Sequence, residues 1–251
     1  METSAKYSAQ VEVVRDLTSL AKRSFELFVK QAEKAVSDKG VFYVAVSGGS
    51  TPATFFELLG SDISAANVQW DKIQIFWVDE RFVSINSKWS NYKLAADTFL
   101  KKVPIPLQNI HRIETEHADC MEAARQYEQA MREVFGIIQG QIPVFDLIVL
   151  GMGVDGHMGS LFRNSYATFD TQDLACVVYA LDEKLNRITM THPVLSAAKK
   201  LLVLVSGKEK AQILHHVLTE EPDEINYPIH ILWPVLDRVT WLVDSDAAQM
   251  L

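Results

Sequence analysis

Leu17, Ala21, Phe25, Phe28, Ala32 and Ala35 recur at steps of three and four residues, which predicts one amphipathic helix ending near Gly40. Four short apolar runs follow and read as buried strands: "VFYVAV" at 41–46, "IQIFWV" at 73–78, "FDLIVL" at 145–150 and "LLVLV" at 201–205. Between them the pattern returns to helical spacing. "AARQYEQAMREVF" precedes the third strand, "KEKAQILHHVL" follows the fourth, and Pro52 stands where a helix opens after "SGGST". Strands alternating with helices in this way predict a mainly parallel sheet covered by helices on both faces. The irregular stretch 163–186 is expected to be a surface excursion carrying an extra strand, "LACVVYAL". With no repeat, low-complexity tract or Gly/Ser linker, the expectation is one domain over residues 1–251.

Composition narrows the function classes. At 251 residues with 48% hydrophobic content, the chain can bury a sizeable core. A formal net charge of −8 and the lack of a basic run argue against nucleic-acid binding, which is built from clustered Lys and Arg. An anionic ligand would therefore need a local basic pocket. Cys120 and Cys176 form no C-x-x-C pair, so neither a disulfide framework nor a thiolate zinc site is signalled, and a reducing cytosol suits this usage. The start "METSAKYSAQVEVVRDL" lacks a basic segment followed by an apolar core, and no apolar run is long enough to span a bilayer. A soluble, cytoplasmic protein without a membrane partner is expected, as a monomer or weak homo-oligomer.

Four polar segments, three of them glycine-bearing, each follow directly after a strand: Ser47-Gly48-Gly49-Ser50-Thr51, Asp79-Glu80-Arg81, Gly151 to His157, and Ser206-Gly207-Lys208. In an open parallel sheet, ligands bind outside the carboxyl ends of the strands, so these loops are expected to converge on one site. "SGGSTP" offers glycines that let backbone N–H groups approach an anion, hydroxyl donors, and a helix start whose dipole favours negative charge; it also fits an ordinary strand-to-helix turn. Arg81 and Lys208 on neighbouring loops favour the anion site. "WVDERFV" reads either as an Asp N-cap with a surface Glu–Arg pair or as an Arg81 aimed at a carbonyl or phosphate oxygen and oriented by an acidic neighbour. "WSNYKL" offers Ser90 or Asn91 as a helix cap.

"GMGVDGHMGS" holds Gly151, Gly153 and Gly156 in G-x-G-x-x-G spacing, the mark of a dinucleotide turn, but Asp155 would repel a pyrophosphate there. Neither Asp170 nor Asp173 ends a strand as a ribose-binding acid should. NAD is thus not expected, and no other cofactor is signalled. His157 lies at the mouth of the sheet with a carboxylate two residues away to fix its tautomer, which suits a general base acting on water. His215 and His216 are adjacent on a helix and point apart, and no H-E-x-x-H occurs, so no required metal is expected. Ser47, Ser50 and Ser160 could be nucleophiles, yet none sits in G-x-S-x-G.

Taken in order, "VSGGSTP", "WVDERFV", "SNYKL", "FDLIVLGMGVDGHMGSLF" and "NRITMT" closely resemble the 6-phosphogluconolactonase family across nearly the whole chain. The related glucosamine-6-phosphate deaminases share the turn but continue it into a segment of the F-N-E-P type with a further catalytic Glu. Here Ser160-Leu161-Phe162-Arg163 follows, with no acid, which favours the lactonases. These usually carry Pro where this chain has Arg163. The resemblance implies a three-layer α/β/α fold of the deaminase, ribose-5-phosphate isomerase and CoA-transferase type. It also implies hydrolysis of 6-phospho-D-glucono-1,5-lactone to 6-phosphogluconate in the oxidative pentose phosphate pathway, without a cofactor. By that analogy the phosphate binds the Ser47, Gly48, Gly49, Ser50 and Thr51 loop with help from Arg187 or Lys208. Asp79 and Arg81 lie toward the lactone, His157 with Asp155 supplies the base, and Arg81 or backbone N–H groups of the 151–157 turn stabilise the oxyanion.

Overall fold

The computed structural model describes residues 9–61, 68–179 and 185–251. Helix α1 (Leu17–Lys39) starts where the Asp16 carboxylate accepts from the Ser19 N–H at 2.8 Å and stops at Gly40, whose φ of 78° is the left-handed cap that ends many helices. Its inward stripe is Leu20, Ala21, Ser24, Phe28, Ala32 and Ala35, while Phe25 is only half-buried. Ser24 is tolerated in that stripe because its hydroxyl donates to Leu20 O at 2.8 Å.

Seven strands form one all-parallel sheet. In sequence they are β1 (Gln10–Val14), β2 (Phe42–Val46), β3 (Ile73–Trp77), β5 (Ile110–His111), β6 (Leu147–Gly151), β9 (Leu201–Val205) and β10 (Val239–Asp244); in space the order is β1-β10-β9-β6-β2-β3-β5. The four strands expected from the apolar runs are all present within two residues. On one face Phe42 of β2 meets Phe28 of α1 edge to face at 5.4 Å, and Phe28 in turn meets Phe55 of α2 (Ser50–Leu59). On the other, Phe76 of β3 packs with Tyr127 and Phe135 of the amphipathic helix Cys120–Phe135, and with Phe145. Cutting Phe28 back to alanine in so closed a core would cost about 3–5 kcal/mol.

Chain direction across the sheet reverses between β2 and β6: β3 and β5 extend to one side, and β9 and β10 to the other. A crevice therefore opens at the carboxyl ends of β2 and β6, where the two neighbouring connections leave in opposite directions. A second, antiparallel sheet of β4 (Asp79–Arg81), β8 (Arg187–Met190) and β7 (Ala175–Val178) is attached at the same rim. Val78 joins the two sheets, its N–H donating to Val46 O at 3.0 Å and its carbonyl accepting from Met190 N at 2.7 Å. Strand β7 realises the Ala175–Val178 half of the expected "LACVVYAL" strand, whose last two residues, Ala180 and Leu181, lie outside the described residues. Among the described residues no helix is long and apolar enough to cross a membrane.

His111, at the sheet edge, stacks on Phe76 at 4.4 Å and bonds Gln74 Oε1 through Nε2 at 2.6 Å. Burial lowers its pKa from 6.5 to about 4. The folded state thus holds it neutral where the unfolded chain would bind a proton, so its contribution to stability falls as pH drops from about 6.5 toward 4. Urea unfolding at pH 7 and at pH 4.5 should therefore show a smaller loss on acidification for His111→Gln than for the wild type. An unchanged pH dependence would remove this assignment.

Candidate active site

Strand β2 delivers Ser47 to the crevice, where its N–H donates to Val149 O at 2.9 Å and its buried Oγ has no partner among the described residues. A Cβ on Gly48 would lie 2.0 Å from Asn91 Oδ1, so only glycine lets that amide reach the rim. Gly49, with φ 111°, caps α2 without a side-chain bond, and the first amides of α2 have no intrahelical acceptor. Ser50 and Thr51 occupy that first turn, so the loop presents an anion-binding helix start.

The Asp79-Glu80-Arg81 segment differs from the cap-and-surface-pair reading. Asp79 caps no helix; it is buried, with Oδ2 accepting from Ser160 Oγ at 2.7 Å and its carbonyl accepting from Asn91 Nδ2 at 2.9 Å. Glu80 is buried as well, and its carboxylate accepts from the N–H groups of Arg81, Asn91 and Tyr92 and from Ser90 Oγ at 2.7–2.9 Å. It thereby anchors the start of α3 (Asn91–Ala95), whose cap is Ser90, with Oγ accepting from Lys93 N. Burial raises the Glu80 pKa against those four bonds. Free of Glu80, the Arg81 guanidinium donates from Nη1 to Trp89 O at 2.7 Å, and its buried Nε has no partner among the described residues. Antiparallel pairing sets Arg187 opposite Arg81. Its Nη1 lies 3.4 Å from Ser160 Oγ and 4.0 Å from Asp79 Oδ2, and burial pushes its pKa down.

After β6 the chain makes a tight loop closed by Gly153 N to His157 O at 2.8 Å and Gly156 N to Gly153 O at 3.2 Å, with Gly156 at φ 78°. A Cβ on Gly153 would sit 2.0 Å from His157 Nδ1, so glycine there makes room for the imidazole. His157 Nδ1 meets Asp155 Oδ1 at 2.5 Å, and this bond lowers the Asp155 pKa to about 2. An ionised carboxylate can only accept, so Nδ1 carries the proton and Nε2 keeps the lone pair. His157 lines the cleft; Asp155 stands behind it, outside the lining.

These loops enclose a cleft of about 220 Å³ floored by the glycine loop and bordered by Arg81, Arg187, Lys210, Asn91 and His157. The cations Arg81, Arg187 and Lys210, the hydroxyl-bearing Ser47 and the His157 imidazole line the same space, an arrangement able to hold a polyanion and to take a proton from water beside it. Among the described residues no group of three or more His, Cys, Asp or Glu could hold a metal ion.

The sequence profile for glucosamine-6-phosphate isomerases/6-phosphogluconolactonase matches residues 15–241. The chain belongs to this glucosamine-6-phosphate isomerase/6-phosphogluconolactonase family. A 6-phosphogluconolactonase from Nostoc sp. is 36% identical over 237 residues, covering 94% of this chain and 96% of its own. One from Synechocystis sp. is 34% identical over 242 residues, covering 96% and 98%. The solved structure of 6-phosphogluconolactonase from Trypanosoma cruzi superposes with a TM-score of 0.85 at 25% identity, covering 98% of this chain and 97% of that one.

Of the residues singled out in the sequence, Ser47 to Thr51, Asp79, Arg81, His157 and Arg187 line the cleft, while Asp155 and Lys208 do not. Lys208, expected at the anion, is exposed and does not line the cleft. The chain enters a 3₁₀ turn at Lys208–Lys210 after Gly207 (φ 100°), and that turn places Lys210 inward, its Nζ donating to Met152 O at 2.8 Å. Burial lowers the Lys210 pKa. Asn91, read only as a cap, also enters the lining, and Ser160 proves fully buried on Asp79, out of reach as a nucleophile.

Proposed function

We propose that the protein is a 6-phosphogluconolactonase, hydrolysing 6-phospho-D-glucono-1,5-lactone to 6-phospho-D-gluconate in the oxidative pentose phosphate pathway. The observation that carries this reading is the Asp155–His157 pair at 2.5 Å, which leaves Nε2 as a proton acceptor at the wall of a cationic cleft. The phosphate occupies the Gly48 to Thr51 loop, with Ser47 Oγ, Lys210 and Arg187 as further donors. At the other end His157 Nε2 takes a proton from water as its oxygen attacks C1, and the Arg81 Nε–H receives the charge that develops on the carbonyl oxygen. The C1–ring oxygen bond then breaks, the imidazolium returns its proton to the departing ring oxygen, and the carboxylic acid product ionises to solvent.

Side-by-side assays of lactone loss and of ammonia release from glucosamine 6-phosphate test the assignment. Lactone hydrolysis without ammonia release is expected, because no acid follows Phe162; the converse would make the protein a deaminase. Arg81→Lys should lower kcat more than it raises KM, since a point charge cannot hold Trp89 O through one nitrogen while offering a second fixed N–H to the oxyanion. A loss of about 10²-fold in kcat is expected for one such donor, and wild-type kinetics in that variant would take Arg81 out of the reaction.

A further inference from the structure

Phe162 is half-buried between two groups of the cleft and belongs to neither the anion loop nor the base pair. Its ring centroid lies 4.6 Å from that of the His157 imidazole, tilted by 46°, and the Arg187 guanidinium carbon lies over the same ring at 5.1 Å. Arg187 is otherwise lightly held, with Ser160 Oγ at 3.4 Å and Asp79 Oδ2 at 4.0 Å, both longer than a strong charge-assisted bond. His157 has its Nδ1 bond to Asp155 and no other side-chain hydrogen bond among the described residues. One aromatic ring is therefore the side chain that touches both the imidazole and the cation.

The backbone fixes that ring. Leu161 N donates to Met158 O at 3.0 Å on one side, and the Phe162 carbonyl accepts from Ser165 N at 3.1 Å and from Thr168 Oγ1 at 3.0 Å on the other. Asn164, at φ 58°, turns the chain within this loop.

We propose that Phe162 is a positioning residue that sets the distance between the imidazole of His157 and the guanidinium of Arg187, holding Arg187 toward the substrate instead of letting it close onto Asp79. The ring face attracts the guanidinium. Leucine at this position keeps most of the bulk but not the π face, whereas tryptophan keeps the π face.

The kinetic part rests on the lactonase reading, so the test pairs kinetics with a measurement independent of turnover. In Phe162→Leu, KM for the phosphorylated lactone should rise roughly three- to ten-fold from loss of the cation–π contact. In Phe162→Ala, kcat should also fall, on the order of 10²-fold, as the imidazole loses its orientation. Phe162→Trp should restore KM toward the wild-type value. In NMR spectra of the folded proteins, the His157 ring protons should lose their aromatic ring-current shift in Phe162→Leu and regain one in Phe162→Trp. Unchanged His157 resonances in Phe162→Leu, or variants that lose thermal stability while keeping wild-type kcat and KM, would overturn the proposal. Should the wild type turn over no lactone, the lactonase reading fails, and the resonances with the affinity for 6-phosphogluconate decide the role of Phe162.

Discussion

Replacing His157 by glutamine is expected to lower kcat by on the order of 10²–10⁴, the usual contribution of a positioned general base, while leaving the fold intact. Glutamine matches the polarity and approximate size of the imidazole. Its Nε2 can still donate to Asp155, so the 153–157 loop, closed by backbone bonds, should keep its form. What it cannot do is accept a proton from water. Activity remaining above the spontaneous rate would come from the anion loop and the Arg81 donor. Circular dichroism and unfolding curves matching the wild type, alongside the loss in kcat, complete the expected result; undiminished kcat would remove His157 from the mechanism.

The second large effect concerns the substrate. Phosphorylated and unphosphorylated gluconolactone differ only at the end that the proposal places on the glycine loop, Lys210 and Arg187. Each charge-assisted bond lost is worth about 1.5–3 kcal/mol, so losing two or three should separate kcat/KM for the two lactones by orders of magnitude. Ser47 adds to this, because its Oγ is buried with no partner among the described residues and an occupied phosphate site would satisfy it. Part of the discrimination should appear in kcat, since binding at the remote phosphate holds C1 against Nε2. Equal kcat/KM for the two lactones would dissolve the phosphate assignment.

Much of this architecture is legible along the chain because the central buried parallel strands are short, continuous and apolar, and three of them, β2, β6 and β9, end in glycine-bearing loops. Ser47–Thr51 and Gly151–His157 could be placed on one rim from strand order alone. The edges were not legible. Strand β1 carries exposed Val11 and Val13, and β10 follows a 3₁₀ segment containing Pro228 and Pro234, so neither stands out as an apolar run between turns. Charged residues were harder to place, since spacing cannot tell which way a side chain turns. Glu80 looks like a surface partner of Arg81, yet its burial follows from α3 folding back over it, a contact across ten residues. Which of Lys208 and Lys210 lines the cleft depends on whether the strand passes into an α-helix or a 3₁₀ turn, and the 3₁₀ turn brings Lys210 to it. The opposition of Arg81 and Arg187 arises from an antiparallel pairing between distant segments, invisible to any local pattern.

The measurement closest to the central claim is the initial rate of 6-phosphogluconolactone loss with the wild-type protein, spontaneous hydrolysis subtracted, as protein and lactone concentrations vary. The account predicts a rate proportional to protein concentration and saturating in lactone. Saturable binding of 6-phosphogluconate with no acceleration of lactone loss would contradict it, and would leave a cleft that holds phosphosugars without acting on them.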